Sequence, residues 1–310
     1  MSKPRALIVS AGFLLAGLLG LGAYFLPVLK AASSTMSSSA LPDLAPTQRT
    51  TAPFTVLLLG SDDDAKFPPD RLNTQSMILV RVDPVAKQAT MLSIPRDLWV
   101  PIPNQGEGKI SWAFQLGGAR GAIAAVETNF GVHVDYYVWI GLNGLVKLID
   151  QLGGVNVIVT NPVLDDFYPS DLVPGGNPYD YYRVAVLPGA AHLDGVHALQ
   201  YARSRHGDLR GDFARSERQQ QILLAVKGQA SRLSVADLPT LANAFNGEIK
   251  TNMGLTRIRQ LIGVANDFDG ANIRRVVLAD PYTSEGLVAG QYVLVPHWDT
   301  IRPLVHQSFP

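Results

Sequence analysis

The chain has 310 residues, of which 47% are hydrophobic, so it is long and apolar enough to bury a substantial core. Lys and Arg total 26 and Asp and Glu total 26, so the formal net charge is zero and gives no general attraction to nucleic acid. Cysteine is absent, which excludes disulfides, thiolate metal sites and a cysteine nucleophile, and is consistent with an exported protein.

The N-terminal segment predicts a membrane anchor over residues 1–30. Residues 6–29 carry no charge and exceed the about 20 apolar residues that cross a bilayer as a helix. Lys3 and Arg5 precede this span and Lys30 follows it, which favours a cytoplasmic N-terminus. The alternative is a cleaved signal peptide, because the small residues after Lys30 loosely fit a cleavage site. We expect a single-pass protein of the cell membrane whose remaining chain is extracytoplasmic.

A linker and one folded domain are expected to follow the anchor. Residues 31–53 are rich in Ala, Ser, Thr and Pro and predict a flexible linker. The domain over residues 54–310 opens with three apolar runs typical of buried strands, FTVLLLG, SMILVRVDP and ATMLSIPRD. Two segments with helical spacing and a further strand come next, GGARGAIAAVETNFG, LNGLVKLIDQLGG and VNVIV. The pattern predicts a three-layer α/β/α domain with a central mixed sheet.

The C-terminal half is less regular. Residues 161–184 are rich in Pro, Gly, Asp and Tyr without periodicity and predict a long surface excursion. Two helices are expected next, the first capped by Asp194 and the second by Asp212. The predicted elements that finish the chain are helices over 236–246 and 254–266, a strand at IRRVVLA and a helix at DTIRPLVHQS.

The segment YARSRHGDLRGDFARSERQQQ, residues 201–221, predicts an anion-binding site where these two helices join. Arg203 and Arg205 point to one side only if the backbone is extended after the first helix. Arg215 and Gln219 share a face near the start of the second helix, where free N–H groups also favour anions. Arginine suits phosphate because its planar fork makes bidentate, charge-assisted bonds. The alternative is a solvated helix bearing surface ion pairs.

Two predicted strands end in charged residues. LLLGSDDDA places Asp62, Asp63 and Asp64 at the carboxyl end of a buried strand, where α/β sheets bind ligands and Mg²⁺ can be held. LSIPRD places Arg96 and Asp97 at the end of another. An exposed acidic turn and a local ion pair are the respective alternatives. Arginines beside carboxylates at strand ends suit a metal-bridged pyrophosphate.

Four ordered motifs, LLLGSD, LSIPRD, PGAAHLDGVHALQYARSRH and DFARSERQQQ, carry a resemblance to a known family. From about residue 54 to its end, the chain resembles the LytR–CpsA–Psr family of membrane-anchored cell-wall enzymes. The resemblance implies a phosphotransferase that moves a glycopolymer from a polyprenyl-pyrophosphate carrier to a peptidoglycan hydroxyl. The implied partners are that lipid-linked glycopolymer, peptidoglycan and membrane lipid. Nucleic acid is not expected as a partner, because no basic DNA-reading helix is present.

The resemblance also implies roles for particular residues. The pyrophosphate contacts it implies are Arg96, Arg203, Arg205, Arg215 and Gln219. It implies that Asp62 is a ligand of Mg²⁺, or of Mn²⁺, and that Asp208 and Asp212 lie near the arginines. The family's Arg-Thr-Asp-Thr motif is replaced here by Asn73, Thr74, Gln75 and Ser76, so both of its charged positions are neutral. Gln75 is then the expected second metal ligand. Arg71 is the candidate to replace the lost arginine, and the candidates for the lost aspartate are Asp63, Asp64 and Asp70.

Under this hypothesis the arginines and Mg²⁺ stabilise charge on the phosphates while the acceptor hydroxyl attacks phosphorus. No residue stands out as the base, and Asp63 and Asp212 are the candidates. The usual interpretation of the aromatic residues Trp99, Trp112, Phe114, Tyr136, Tyr137 and Trp139 is that they belong to the core. The resemblance implies instead that some of them, with the apolar helices, line a tunnel for the prenyl chain. The alternatives are a non-catalytic polyprenyl-phosphate-binding protein and a polyprenyl-pyrophosphate hydrolase.

Overall fold

The computed structural model describes residues 52–61, 72–172, 177, 179–206, 208, 210–230, 248–254 and 272–310. The predicted anchor, the linker up to residue 51 and, except for residue 254, the helices predicted over 236–246 and 254–266 lie outside these ranges. Within them, no helix is long and apolar enough to cross a membrane.

The described ranges contain fourteen strands and five helices. In chain order the strands are β1 (Phe54–Ser61), β2 (Thr74–Asp83), β3 (Gln88–Ile94), β4 (Trp99–Ile102), β5 (Gly106–Lys109), β6 (Tyr136–Ile140), β7 (Val155–Val159), β8 (Val163–Pro169), β9 (Tyr181–Val186), β10 (Gly189–Leu193), β11 (Ile249–Thr251), β12 (Ile273–Val277), β13 (Thr283–Val288) and β14 (Gln291–Pro296). The helices are α1 (Trp112–Phe130), α2 (Leu142–Gln151), α3 (Gly195–Arg203), α4 (Gly211–Ala230) and α5 (Trp298–Ser308).

The central sheet is mixed, as predicted. Its strand order is β11-β6-β1-β2-β3-β12. β1 pairs parallel with β6 and β3 pairs parallel with β12, whereas the other neighbours are antiparallel. β1, β3 and β6 therefore end at one edge of the sheet, and β2 begins there. Arg96 and Asp97, which follow β3, therefore come at this edge.

Helices cover both faces of the sheet. On one face, Leu57 and Leu92 belong to a buried cluster that includes Val126 of α1 and Ile301 of α5. On the other face, Leu223 of α4 packs against a cluster that contains Val56 and Val138. A separate cluster joins α2, α3 and α4 to the β7–β10 and β8–β9 pairs. The continuous apolar run of β1 follows from this burial on both sides.

The prediction of an irregular excursion over residues 161–184 is wrong, because β8 and β9 pair there as an antiparallel hairpin. Two features hid the strand period of two. Asp165 occupies a buried position where an apolar residue is expected, and the register shifts between Asp165 and Tyr168. The predicted strand VNVIV is β7, but it pairs with β10 outside the central sheet.

The helix ends show where capping signals succeed and fail. Asp194 caps α3 as predicted, since its carboxylate accepts a bond of 2.8 Å from the His197 N–H. The predicted cap at Asp212 is wrong: α4 begins at Gly211, and the Asp212 carboxylate binds arginines instead. α1 starts earlier than predicted, and its two segments meet at non-helical Gly117 and Gly118, the latter with φ of 59°.

Candidate active site

The arginines meet at the sheet edge where β1 and β3 end. Arg96 follows β3, and Gln75 is near the start of β2. Arg203 ends α3, and Ser204 then extends the backbone with φ −57° and ψ 142°. This confirms the predicted extended turn between Arg203 and Arg205.

Asp212 lies at the centre of an arginine cluster that consists of Arg96, Arg203, Arg205 and Arg215. Its Oδ2 is 3.3 Å from Arg96 Nε and 3.1 Å from Arg215 Nη2, and its Oδ1 is 3.8 Å from Arg205 Nη1. Burial raises the pKa of Asp212, but the charges of the three arginines outweigh it and leave this pKa below its usual value. A carboxylate with a low pKa is a weak base, so this environment suits the holding of arginines better than the predicted role as a base.

Among the described residues, the cluster carries more positive than negative charge. Asp97 forms an ion pair with Arg96 at 3.3 Å. It also forms one with Lys109 at 2.7 Å, so its single negative charge is shared between two cations. Burial lowers the pKa of Arg215 to about 9, and Arg96 and Arg205 contribute to this, while Asp212 opposes it. Arg215 Nε is buried and has no hydrogen-bond partner in the part of the chain that the structure describes. A bound anion would supply both the missing charge and the missing acceptor.

Arg203 is held by a residue that the sequence analysis did not identify. Its Nη1 and Nη2 donate to the two carboxylate oxygens of Asp171 at 2.7 Å and 2.6 Å, and its guanidinium lies 5.7 Å from the Tyr168 ring centre. The Asp171 side chain has 0% exposure. Burial opposes the charge of Arg203, but Asp171 and Tyr168 outweigh this and raise its pKa. The sequence offered only an acidic residue in a stretch interpreted as surface.

Arg218 holds the turn between α3 and α4 rather than a ligand. Its side chain is 2% exposed. Nε donates to the Tyr201 carbonyl at 2.8 Å, Nη1 donates to Asp208 at 2.8 Å, and Nη2 donates to the Ser204 carbonyl. Asp208 therefore lies near the arginines, as the resemblance implies, and pairs with Arg218.

An apolar cavity opens onto the arginines from between the sheet and the helices α2, α3 and α4. Its empty volume is about 780 Å³, part of which is open to solvent. Most of the wall is aliphatic: Leu58, Leu59, Ile78, Val138, Ile140, Leu142, Leu145, Leu199, Ala202, Ile222 and Leu223. The polar side chains in the wall are Ser61, Gln75, Ser76, Arg203, Arg215 and Gln219.

The apolar helices contribute to this wall as expected, and its use by a prenyl chain stays a prediction. Arg215 and Gln219 face the same cavity, as their spacing predicts, and Gln219 accepts a bond of 2.8 Å from Ser76 Oγ. Among the described residues, none of the predicted aromatics lines the cavity. Tyr136 and Trp139 are buried in core clusters instead, because their strand places them against helices.

The described residues do not form a magnesium site. Gln75 Oε1 accepts a hydrogen bond from Arg96 Nη1, and a guanidinium at this oxygen disfavours a second cation. Within the described ranges, no group of three His, Asp or Glu side chains could hold a metal ion. Asp62, Asp63, Asp64, Asp70 and Arg71 lie outside those ranges. The predicted Mg²⁺ or Mn²⁺ site and the predicted role of Arg71 therefore stay predictions.

We expect the Gln75→Asp variant to bind Mn²⁺ at least about tenfold more tightly than the unmodified protein, because a carboxylate adds the charge that the amide lacks. In the unmodified protein we expect weak metal binding until a prenyl pyrophosphate supplies negative charge. Electron paramagnetic resonance of free Mn²⁺ measures the affinity of the variant and of the unmodified protein for the metal, each with and without the lipid. The Ser76→Asp variant is the control for added charge at the neighbouring position. Tight binding by the unmodified protein alone would show that Gln75 is not the limiting ligand.

Comparison with known proteins agrees with the motifs. The model of the LytR_cpsA_psr family matches residues 28–302. The chain belongs to this family. The members that resemble it show how far the likeness extends. The Bacillus subtilis (strain 168) protein named polyisoprenyl-teichoic acid–peptidoglycan teichoic acid transferase TagV is 32% identical over 225 residues, which cover 71% of this chain and 55% of that protein. The chain thus spans about half the length of this curated relative.

Solved structures of the family share the fold. The crystal structure of B. subtilis TagV matches with a TM-score of 0.68 and 27% identity, covering 84% of this chain and 98% of that one. The structure described as TagT bound to LIIa-WTA matches with a TM-score of 0.68 and 25% identity, covering 85% of this chain and 92% of that one.

Proposed function

We propose that this family member is a phosphotransferase that moves a glycopolymer from a polyprenyl-pyrophosphate carrier to peptidoglycan. The observation that carries the proposal is the aliphatic cavity that opens directly onto a cluster of arginines. Such a site fits a ligand with a long apolar chain and a strongly anionic head. The name of TagV, a transferase of polyisoprenyl-linked teichoic acid to peptidoglycan, supports the same substrate class.

The positions of the arginines suggest how the donor is held. Arg203 and Arg215 line the cavity, so they would bind the phosphate attached to the prenyl chain. Arg96 and Arg205 contact Asp212 and are not among the described residues of the cavity wall, so they would bind the phosphate attached to the sugar. The acceptor hydroxyl attacks the sugar-side phosphorus, the bond to the bridging oxygen breaks, and prenyl phosphate leaves. The guanidinium groups stabilise the charge that develops on the phosphates.

One observation favours the alternative of a non-catalytic polyprenyl-phosphate-binding protein. Gln75, at the position of the family's metal-binding aspartate, contacts Arg96 instead of presenting a free carboxylate. A protein with this site could hold the lipid without activating it. Mg²⁺ is therefore proposed as a cofactor only together with the phosphates of the donor.

The experiment supplies the full-length protein in detergent with a polyprenyl-pyrophosphoryl oligosaccharide and Mg²⁺, with and without peptidoglycan oligomers. A product joined to peptidoglycan supports the transferase. Release of sugar phosphate without an acceptor indicates the hydrolase, and lipid binding without any product indicates the binding protein. The Arg205→Ala variant should lose the transfer product, whereas Arg302→Ala, on α5 and with its guanidinium 5.9 Å from the Trp298 ring centre, should keep it.

We further propose an anchor over residues 1–30, a linker over 31–53 and an extracytoplasmic catalytic domain over 54–310, based on the uncharged span of residues 6–29. The intact protein is expected to stay with the membrane after a high-salt wash. Protease added outside the cell should degrade the domain. A soluble form that begins near residue 32 would instead identify a cleaved signal peptide.

A further inference from the structure

Besides Asp171, a second buried carboxylate, Asp165 of β8, contacts the turn between α3 and α4 that carries Arg205. Asp165 has a side-chain exposure of 2%, and its Oδ2 accepts from the backbone N–H groups of Arg205 at 3.2 Å and His206 at 3.4 Å. Its Oδ1 accepts from the Phe167 N–H at 3.0 Å and lies 3.1 Å from His206 Nδ1. One carboxylate thus ties the hairpin to the residues that follow α3. No family motif quoted above contains Asp165.

The side chain of Arg205 is weakly held compared with the other arginines of the cluster. Its side chain is 39% exposed, and within the described part of the chain its ion pair is the 3.8 Å approach to Asp212. Burial and the like charge of Arg96 lower the pKa of Arg205, and Asp212 and Asp97 offset this only in part. The Arg205 N–H, by contrast, donates to Asp165, so the hairpin helps to fix the backbone from which this side chain extends.

Arg205 also differs from its neighbours in where it lies. Among the described residues, the cavity wall includes Arg203 and Arg215 but not Arg205. A single phosphate at the end of an apolar chain in the cavity would meet Arg203 and Arg215. A second phosphate would extend from the cavity toward Arg205.

We propose that Asp165 is a positioning residue that holds Arg205 at the sugar-side phosphate and thereby sets the preference for a prenyl pyrophosphate over a prenyl monophosphate. The inference rests on the proposed donor-binding site. It has a consequence for turnover: the monophosphate left after transfer loses the contact with Arg205 and dissociates more readily than the donor. A guanidinium group that is already in place gives such discrimination, because the entropy cost of ordering it is met before the ligand binds.

The test compares two ligands on the full-length protein in detergent, geranylgeranyl pyrophosphate and geranylgeranyl monophosphate. The readout is the ratio of their dissociation constants, because partial misfolding weakens both by the same factor and cancels. In Asp165→Asn the amide has one acceptor oxygen, so one set of N–H donors loses its partner. We expect the preference for pyrophosphate to fall by at least about threefold.

The matched control is Asp166→Asn on the same hairpin. Asp166 is exposed and pairs with exposed Arg183, so the ratio should not change. In an Arg205→Gln background, Asp165→Asn should cause no further fall. If Asp165→Asn does not fold, Asp165→Glu keeps the charge, displaces it by one methylene and should lower the ratio in the same direction.

Each outcome decides the proposal. An unchanged ratio in the Asp165 variants, an equal fall in Asp166→Asn, or a full effect in the Arg205→Gln background would overturn it. Failure of the unmodified protein to bind either ligand would overturn both this inference and the proposed function. The expected binding pattern without any glycopolymer transfer would refute the transferase and leave the role of Asp165 intact.

Discussion

Replacing Arg218 with Met is expected to lower the free energy of unfolding by about 3–5 kcal/mol, because the change removes one partner of a buried ion pair. The variant removes the Arg218 donors from the Tyr201 and Ser204 carbonyls and from Asp208 Oδ2. Methionine fills much of the volume, so the loss reports on polar contacts rather than on a cavity. Chemical denaturation of the full-length protein, followed by tryptophan fluorescence, measures the effect.

Arg210 provides the matched control. It makes a bidentate pair with Glu217 at 2.9 Å for both contacts, but both side chains are exposed. The Arg210→Met variant should therefore cost less than about 1 kcal/mol. Equal losses in the two variants would show that burial does not distinguish these pairs and that Arg218 does not hold the turn.

The central strands could be predicted because their signal is local. β1 and β3 are apolar runs that end where the chain meets Gly60 or Pro95, and the turn between β2 and β3 carries Asp83, whose side chain accepts from the Val85 and Ala86 N–H groups. Burial on both faces removes the need for alternation. The β8–β9 hairpin lacked such a signal, since its inward side carries Asp165 and a register shift.

The partners of the arginines could not be predicted for a different reason. Asp171 lies 32 residues before Arg203, and Asp165 lies 40 residues before Arg205. No spacing rule connects residues at such distances, and their burial depends on a hairpin that the composition disguised. By contrast, the shared face of Arg215 and Gln219 follows from helical spacing alone, and both line the cavity.

Asp212 shows how a capping rule based on local sequence fails at a binding site. Its place before an apolar helix predicts an N-cap, but three guanidinium groups compete for the same oxygens. Three cationic donors attract this carboxylate more strongly than the uncharged backbone N–H that a cap would bind. The helix therefore begins without that cap, as expected where function and local preference disagree.

Arg203→Ala and Arg205→Ala are each expected to weaken binding of geranylgeranyl pyrophosphate by about one to two decades, because each removes a charge-assisted contact of about 1.5–3 kcal/mol. The two variants should differ in stability. Arg203→Ala removes the bidentate partner of fully buried Asp171 and should also cost about 3–5 kcal/mol of folding free energy. Arg205→Ala removes a half-exposed side chain with a distant ion pair and should leave the unfolding free energy nearly unchanged.

Isothermal titration with the lipid, together with thermal unfolding, separates the two effects. The double variant Arg203→Ala, Asp171→Asn removes the buried charge and should recover most of the stability but none of the affinity. Arg302→Ala should change neither quantity. If the double variant also recovers binding, Arg203 acts only by balancing Asp171 and is not a phosphate ligand. If Arg205→Ala binds the lipid as tightly as the unmodified protein, Arg205 lies at a solvated surface, and the sugar-side phosphate is bound by other groups.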